Sequence, residues 1–120
     1  MAAKVLIVED FDDIRKMLKI LLQLYGYEVL EAADGYEAVE IAVEEHPDLI
    51  LMDIALPSLD GVQATSVIRQ HEELANVPIV CITAYTDFYQ DKARAAGANA
   101  VMAKPFDLNH LKPLVQHYVN

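Results

Sequence analysis

Four short stretches of this 120-residue chain carry chemistry that folding alone does not require: Glu9-Asp10, Asp53, Thr83 and Lys104. Asp53 is the sharpest case. Leu49-Ile50-Leu51-Met52 delivers it, and Ile54-Ala55-Leu56-Pro57 follows. An apolar run bounded this way predicts a fully buried strand of a parallel sheet. Burying an ionised carboxylate is costly unless something pairs with it, and Asn or Ser would end a strand more cheaply. Taken by itself, Asp53 is either a functional carboxylate or an Asp that caps the next loop through its own backbone. The neighbouring elements decide between the two.

Lys4 to Val8 predicts a first strand, with Glu9-Asp10 at its end. From Ile14 the period changes: Ile14, Met17, Leu18, Leu21, Leu22 and Tyr25 recur at helical spacing and make one apolar face. Asp12 and Asp13 suit that helix's N-terminus and Gly26 its C-terminal stop. A second strand from Glu28 to Ala33 is less apolar, as at a sheet edge. Asp34-Gly35 opens a helix with Tyr36, Val39, Ala42 and Val43 directed inward, and His46-Pro47-Asp48 ends it. After Asp53 a loop passes through Pro57, and Asp60-Gly61 opens a third helix reaching to Glu72. Val77 to Ile82 predicts a strand ending at Thr83. A helix over Asp87 to Ala96 is capped by Gly97, and a fifth strand over Asn99 to Ala103 ends at Lys104-Pro105. A cis bond there would aim the lysine inward. Asp107 begins a last helix with Leu108, Leu111, Leu114, Val115 and Tyr118 inward; Pro113 predicts a kink or a late start.

Strict alternation of strand and helix implies a parallel sheet with right-handed crossovers and helices on both faces. Ligands of such sheets bind at the carboxyl ends of the strands. Glu9-Asp10, Asp53, Thr83 and Lys104 therefore converge on one edge, and Asp53 reads as functional. Carboxylates about 4 Å apart repel by roughly 1 kcal/mol per pair in water and roughly 4 at an effective dielectric constant of 20. Lys104 offsets one of those charges, so the cluster is shaped for a divalent cation. Oxygen-only ligation suits Mg²⁺. Zinc would want His or thiolate ligands, whereas His46, His71, His110 and His117 are scattered and read as ordinary surface residues. Beside a cation, Asp53 is a carboxylate nucleophile for a phosphoryl group. Lys104 can contact the transferred oxygens as a point charge, and Thr83 can donate a hydrogen bond to them.

Composition agrees. Hydrophobic residues make up 54% of the chain and charged residues 23%, which excludes general disorder. The net charge of −10 disfavours direct nucleic-acid binding. Cys81, the only cysteine, lies in an apolar run and reads as core, which fits a reducing compartment. The first apolar stretch is too short for a signal peptide, and none approaches a membrane span. A single domain over residues 1–120, soluble and cytoplasmic, is expected.

The ordered set Val8-Glu9-Asp10, Leu51-Met52-Asp53-Ile54-Ala55-Leu56-Pro57 with Asp60-Gly61, Thr83-Ala84 and Lys104-Pro105-Phe106 resembles the receiver domains of two-component response regulators, the CheY-like family. The resemblance spans the chain. It implies a doubly wound α/β fold of flavodoxin type, with a five-stranded parallel sheet in order 2-1-3-4-5 and five helices. It implies that Asp53 takes a phosphoryl group from the phosphohistidine of a sensor histidine kinase or phosphotransfer protein, switching the binding of a downstream protein. Glu9, Asp10, Asp53 and the backbone carbonyl of Ala55 would hold Mg²⁺. It further implies that the chain assists its own phosphorylation and dephosphorylation and is no enzyme in the ordinary sense. Two features depart from the family pattern. Val101 stands at the switch position, where an aromatic is usual. Ala55 and Tyr85, at positions that tune the acyl-phosphate lifetime, offer no acid or amide to orient water. Tyr85, Phe88, Tyr89 and Phe106 form a candidate partner surface, with Tyr89 expected to be exposed. A Mg²⁺-dependent phosphohydrolase is the alternative of another class, but it would want a second Asp where Ala55 stands. Within the family, a stand-alone regulator is favoured over the excised receiver of a longer regulator or hybrid kinase.

Overall fold

The computed structural model describes residues 2–105 and 107–119. Five parallel strands, β1 (Lys4–Val8), β2 (Glu28–Ala32), β3 (Leu49–Asp53), β4 (Ile79–Thr83) and β5 (Ala100–Ala103), lie in the order β2-β1-β3-β4-β5. The helices are α1 (Asp12–Leu24), α2 (Gly35–Glu45), α3 (Gly61–Arg69), α4 (Thr86–Ala96) and α5 (Leu111–Val119). Short 3-10 turns occupy Glu72–Leu74 and Leu108–His110.

Alternation along the inner strands divides the core. Val5, Ile7, Leu49 and Leu51 point to the face covered by α1 and α5, where Leu18, Leu22, Leu111 and Val115 are buried. Leu6, Val8, Ile50 and Met52 point the other way, onto Ala38 and Ala42 of α2, Ala64 and Ile68 of α3, and Ala93 of α4. Every residue of β3 and β4 is buried, as expected of strands covered on both faces. The less apolar β2 stands at an edge.

Several boundaries shift from the sequence-based expectation. The third helix stops at Arg69 instead of Glu72: the Gln70 and His71 N–H groups donate to the i−3 carbonyls of Val67 and Ile68 (both 3.1 Å), and a 3-10 turn follows over Glu72–Leu74. The Arg69 guanidinium donates onward to the carbonyls of Leu74 (2.8 Å) and Gly97 (3.0 Å). The fourth strand starts at Ile79 and the fifth at Ala100. The last helix starts late: a 3-10 turn capped by Asp107 precedes it, and Pro113 falls in its first turn, where a missing N–H costs little. Lys104-Pro105 is cis.

Four side chains expected inside lie outside. Tyr36 is exposed, because α2 packs through Gly35, Ala38 and Ala42. Ile14, Met17 and Leu108 are exposed too. Helix α1 buries only Leu18 and Leu22, one turn apart, so residues flanking that stripe are left at its margin. Together with Phe11, Ala84 and Pro105 these three line a groove of about 500 Å³.

The chain around Asp53 is held by α3. The Gly61 N–H donates to the Ile54 carbonyl (2.9 Å), and Asp60 and Gln63 form a reciprocal capping box. A Cβ on Gly61 would collide with the Asp53 carbonyl oxygen and the Ile54 Cα. Gly→Ala at an ordinary helix position gains up to about 1 kcal/mol. Gly61→Ala is expected instead to lose roughly 1–3 kcal/mol, the usual cost of overpacking. Urea unfolding checks this, and an unchanged or raised midpoint would contradict it.

Candidate functional site

The carboxyl ends of β1, β3, β4 and β5 bring together the polar residues expected from the sequence. Asp53 is the last residue of β3 and Thr83 the last of β4; Glu9-Asp10 follows β1 and Lys104 follows β5. Glu9, Asp53 and Thr83 are almost fully buried. Lys104 Nζ donates to Asp53 Oδ2 (2.8 Å) and to Glu9 Oε1 (3.2 Å), tying together the ends of three strands. The remaining oxygens of these two acids take backbone donors: Asp53 Oδ1 accepts from Ala55 N (3.2 Å), and Glu9 Oε2 from Phe11 N (3.2 Å). Burial pulls the Lys104 ammonium down, but Asp53 and Glu9 outweigh it and hold its pKa above the usual lysine value. That lysine is charged at neutral pH.

Asp10 differs from its neighbours. Glu9, Asp10 and Asp53 each present a carboxylate oxygen within 4.8 Å of the others, yet Asp10 Oδ1 is buried without a hydrogen-bond partner among the described residues. Burial, then sharing of a hydrogen with Glu9, raises its pKa. An orphaned carboxylate oxygen aimed into an acidic cluster is costly to leave unpaired. The three acids offer only oxygens, a donor set that fits Mg²⁺.

Thr83 and Ala55 complete the edge. The Thr83 hydroxyl oxygen accepts from Tyr85 N (3.0 Å), so its hydrogen remains for a second group. Ala55 is exposed on the loop after Asp53. Val101, expected at a switch position, is half-buried against the α2–α4 side of the core.

The aromatic surface departs from expectation. Tyr85 and Phe88 are exposed at 70% and 60%, with Lys92 Nζ 4.0 Å above the Phe88 ring. Tyr89 is half-buried and packs on the core, its ring edge-on to Phe88 at 4.8 Å. Residue 89 faces the sheet because it lies one turn before the buried Ala93. Phe106 lies outside the described residues. Cys81 is buried beside Thr65, and burial pushes its thiol up to about 11, in keeping with a core role.

One residue went unnoticed in the sequence. Arg15, on the first turns of α1, donates to the Glu9 carbonyl oxygen (2.9 Å), to Asp12 Oδ1 (2.6 Å) and to Glu31 Oε1 (3.3 Å). Its spacing from Asp12 is visible as an i,i+3 pair; the Glu9 and Glu31 contacts exist only in the folded chain.

The raised pKa of Asp10 carries a stability consequence. Below its ordinary value of 3.8 the group is protonated whether the chain is folded or not. As pH rises through the raised folded value, the native state must give up a proton that it holds more tightly than the unfolded chain, and stability falls. Asp10→Asn removes that cost. With EDTA present, it is expected to raise the melting temperature at pH 7 by a few degrees, with the gain shrinking as pH falls towards 3.8. Melting curves across pH check this; a variant less stable than the parent at pH 7 would contradict it.

Known proteins share this architecture. A family model for the response regulator receiver domain matches residues 5–116. The polar-differentiation response regulator DivK of Brucella ovis is 34% identical over 120 residues, covering 99% of this chain and 98% of that one. The chemotaxis protein CheY4 of Vibrio cholerae superposes with a TM-score of 0.92 at 34% identity, over 98% of this chain and 99% of that one. The receiver domain of a sensor histidine kinase from Pseudomonas aeruginosa PAO1, with a magnesium ion coordinated in its active-site cleft, superposes with a TM-score of 0.91 at 36% identity, over 99% and 98%. By family match, by sequence and by fold, the chain belongs to the receiver domains of response regulators.

Proposed function

We propose that Asp53 is the phospho-accepting residue of this receiver domain and that Glu9, Asp10, Asp53 and the backbone carbonyl of Ala55 hold Mg²⁺ during transfer. The observation that carries the reading is the orphaned Asp10 Oδ1 beside two carboxylates already bound to one lysine. The magnesium ion in the cleft of the Pseudomonas receiver supports the choice of metal. When bound, Mg²⁺ supplies charge neutralisation and orientation of the phosphoryl oxygens.

The chain's own groups do the rest. A carboxylate oxygen of Asp53 forms a bond to phosphorus as the P–N bond of a donor phosphohistidine breaks. The imidazole leaves and takes up a proton. Lys104, already 2.8 Å from Asp53 Oδ2, lies within reach of the incoming oxygens and balances their charge. Thr83 donates its hydroxyl hydrogen to the same group. The donor is a sensor histidine kinase or a phosphotransfer protein, and the apolar groove from Phe11 to Leu108 flanks Lys104 where such a donor must approach. Downstream, Tyr85 and Phe88 with Lys92 offer a surface for a partner protein, with Tyr89 contributing its outer edge.

Ala55 is the argument against a phosphohydrolase, since it offers neither an acid nor a base to turn the phospho-form over. Tyr85 faces solvent, so slow hydrolysis rests on the missing polar group at Ala55 more than on shielding. Positioning a water is worth orders of magnitude in rate.

Incubation with acetyl phosphate and Mg²⁺ is expected to add one phosphoryl group, seen as an intact-mass shift, and Asp53→Asn to abolish it. Label persisting in Asp53→Asn would overturn the assignment. In the same assay Ala55→Asn is expected to speed phosphate release several-fold after the donor is removed. An unchanged or slower release would contradict the role given to that position.

A further inference from the structure

We propose that Arg15 is a positioning residue for the metal-binding acids: it fixes the peptide between Glu9 and Asp10 and so aims the Asp10 carboxylate into the cluster. This rests on the reading of Glu9, Asp10 and Asp53 as the Mg²⁺ ligands.

Glu9 is anchored at every polar atom. Its N–H donates to the Ala32 carbonyl of β2 (3.0 Å), and its side-chain oxygens take Lys104 and the Phe11 N–H. The last group is its carbonyl oxygen, and Arg15 Nη1 holds that at 2.9 Å. The plane of the Glu9–Asp10 peptide is therefore set by Arg15, and Asp10, the next residue, has no partner at Oδ1 among the described residues to set its own direction. Arg15 is itself held. Nη2 reaches Asp12 at 2.6 Å and Nε reaches Glu31 on β2 at 3.3 Å, while Lys19 takes the other oxygen of Glu31 at 3.1 Å. The Arg15 side chain keeps only 13% of its surface exposed. One planar fork thus locks the loop carrying Asp10 to both α1 and the edge strand, which a single ammonium cannot do.

Charge alone would act in the opposite direction. A guanidinium beside a cation site repels the cation, so deleting it should tighten Mg²⁺ binding if position were irrelevant. If Arg15 acts by position, deleting it weakens binding. Groups that orient metal ligands are typically worth ten- to a hundredfold in affinity, about tenfold or more being expected here.

The test is calorimetric titration of Mg²⁺ into the full chain and three variants. Arg15→Ala is expected to weaken Mg²⁺ at least about tenfold. Arg15→Lys keeps the charge, loses the fork and weakens Mg²⁺ several-fold; it carries the test if Arg15→Ala does not fold. Arg69→Ala removes an arginine that likewise bonds to backbone carbonyls but sits away from the acids, and is expected to lower the melting temperature while leaving Mg²⁺ affinity unchanged. Equal or tighter binding in Arg15→Ala, or parental binding in Arg15→Lys, overturns the inference alone. A parent chain that binds no Mg²⁺ overturns the metal reading and this inference with it.

Discussion

The Lys104 ammonium, bonded at once to Asp53 and Glu9, is the contact on which the rest of the architecture depends. Its partners lie 51 and 95 residues away along the chain. Only a fold that brings the carboxyl ends of β1, β3 and β5 to one edge can make it. Parallel pairing in the order β2-β1-β3-β4-β5 does so, and each strand must then be covered on both faces by helices. The apolar runs that pay for the sheet and the polar residues that end them are two parts of one arrangement.

The charge count at that edge is unbalanced. One ammonium faces three carboxylates, and it satisfies two of them. The third, on Asp10, keeps a buried oxygen without a partner among the described residues and holds its proton more tightly than usual. Lys104 ties two of the acids together, and the surrounding backbone holds the rest of the edge in shape. Gly61 allows α3 to press against the Asp53 carbonyl, and the Asp60–Gln63 box fixes where that helix begins. An oxygen-only cluster with one acid left unpaired by the lysine has the donor chemistry that suits a divalent cation.

Much of this was legible in the sequence because the signal is local. A carboxylate that closes an apolar run is conspicuous, and alternating periods leave few topologies to consider. The parallel sheet, its strand ends and the acid cluster follow from that, whereas the strand order was implied by the resemblance to receiver domains. What could not be read is how much of an apolar face is covered. Periodicity marks Ile14, Met17 and Leu108 as one side of a helix, but the packed stripe takes only Leu18 and Leu22 on α1, and Leu111 and Val115 on α5. Tyr36 and Tyr89 exchange expectation and outcome for a similar reason: one residue along a helix turns a side chain by about 100°, enough to move it from core to solvent. Arg15 was hidden because its decisive acceptor is a backbone carbonyl, which no residue pattern displays.

The lysine that spans Glu9 and Asp53 is expected to belong to a phosphoryl site on Asp53. A structure determined with Mg²⁺ and beryllofluoride tests it most directly. Beryllium is expected bonded to an Asp53 carboxylate oxygen, with Lys104 Nζ transferred to a fluoride and the Thr83 hydroxyl donating to another. Beryllofluoride ordered on a different side chain, or Asp53 unmodified with both Lys104 bonds intact at saturating ligand, would contradict it.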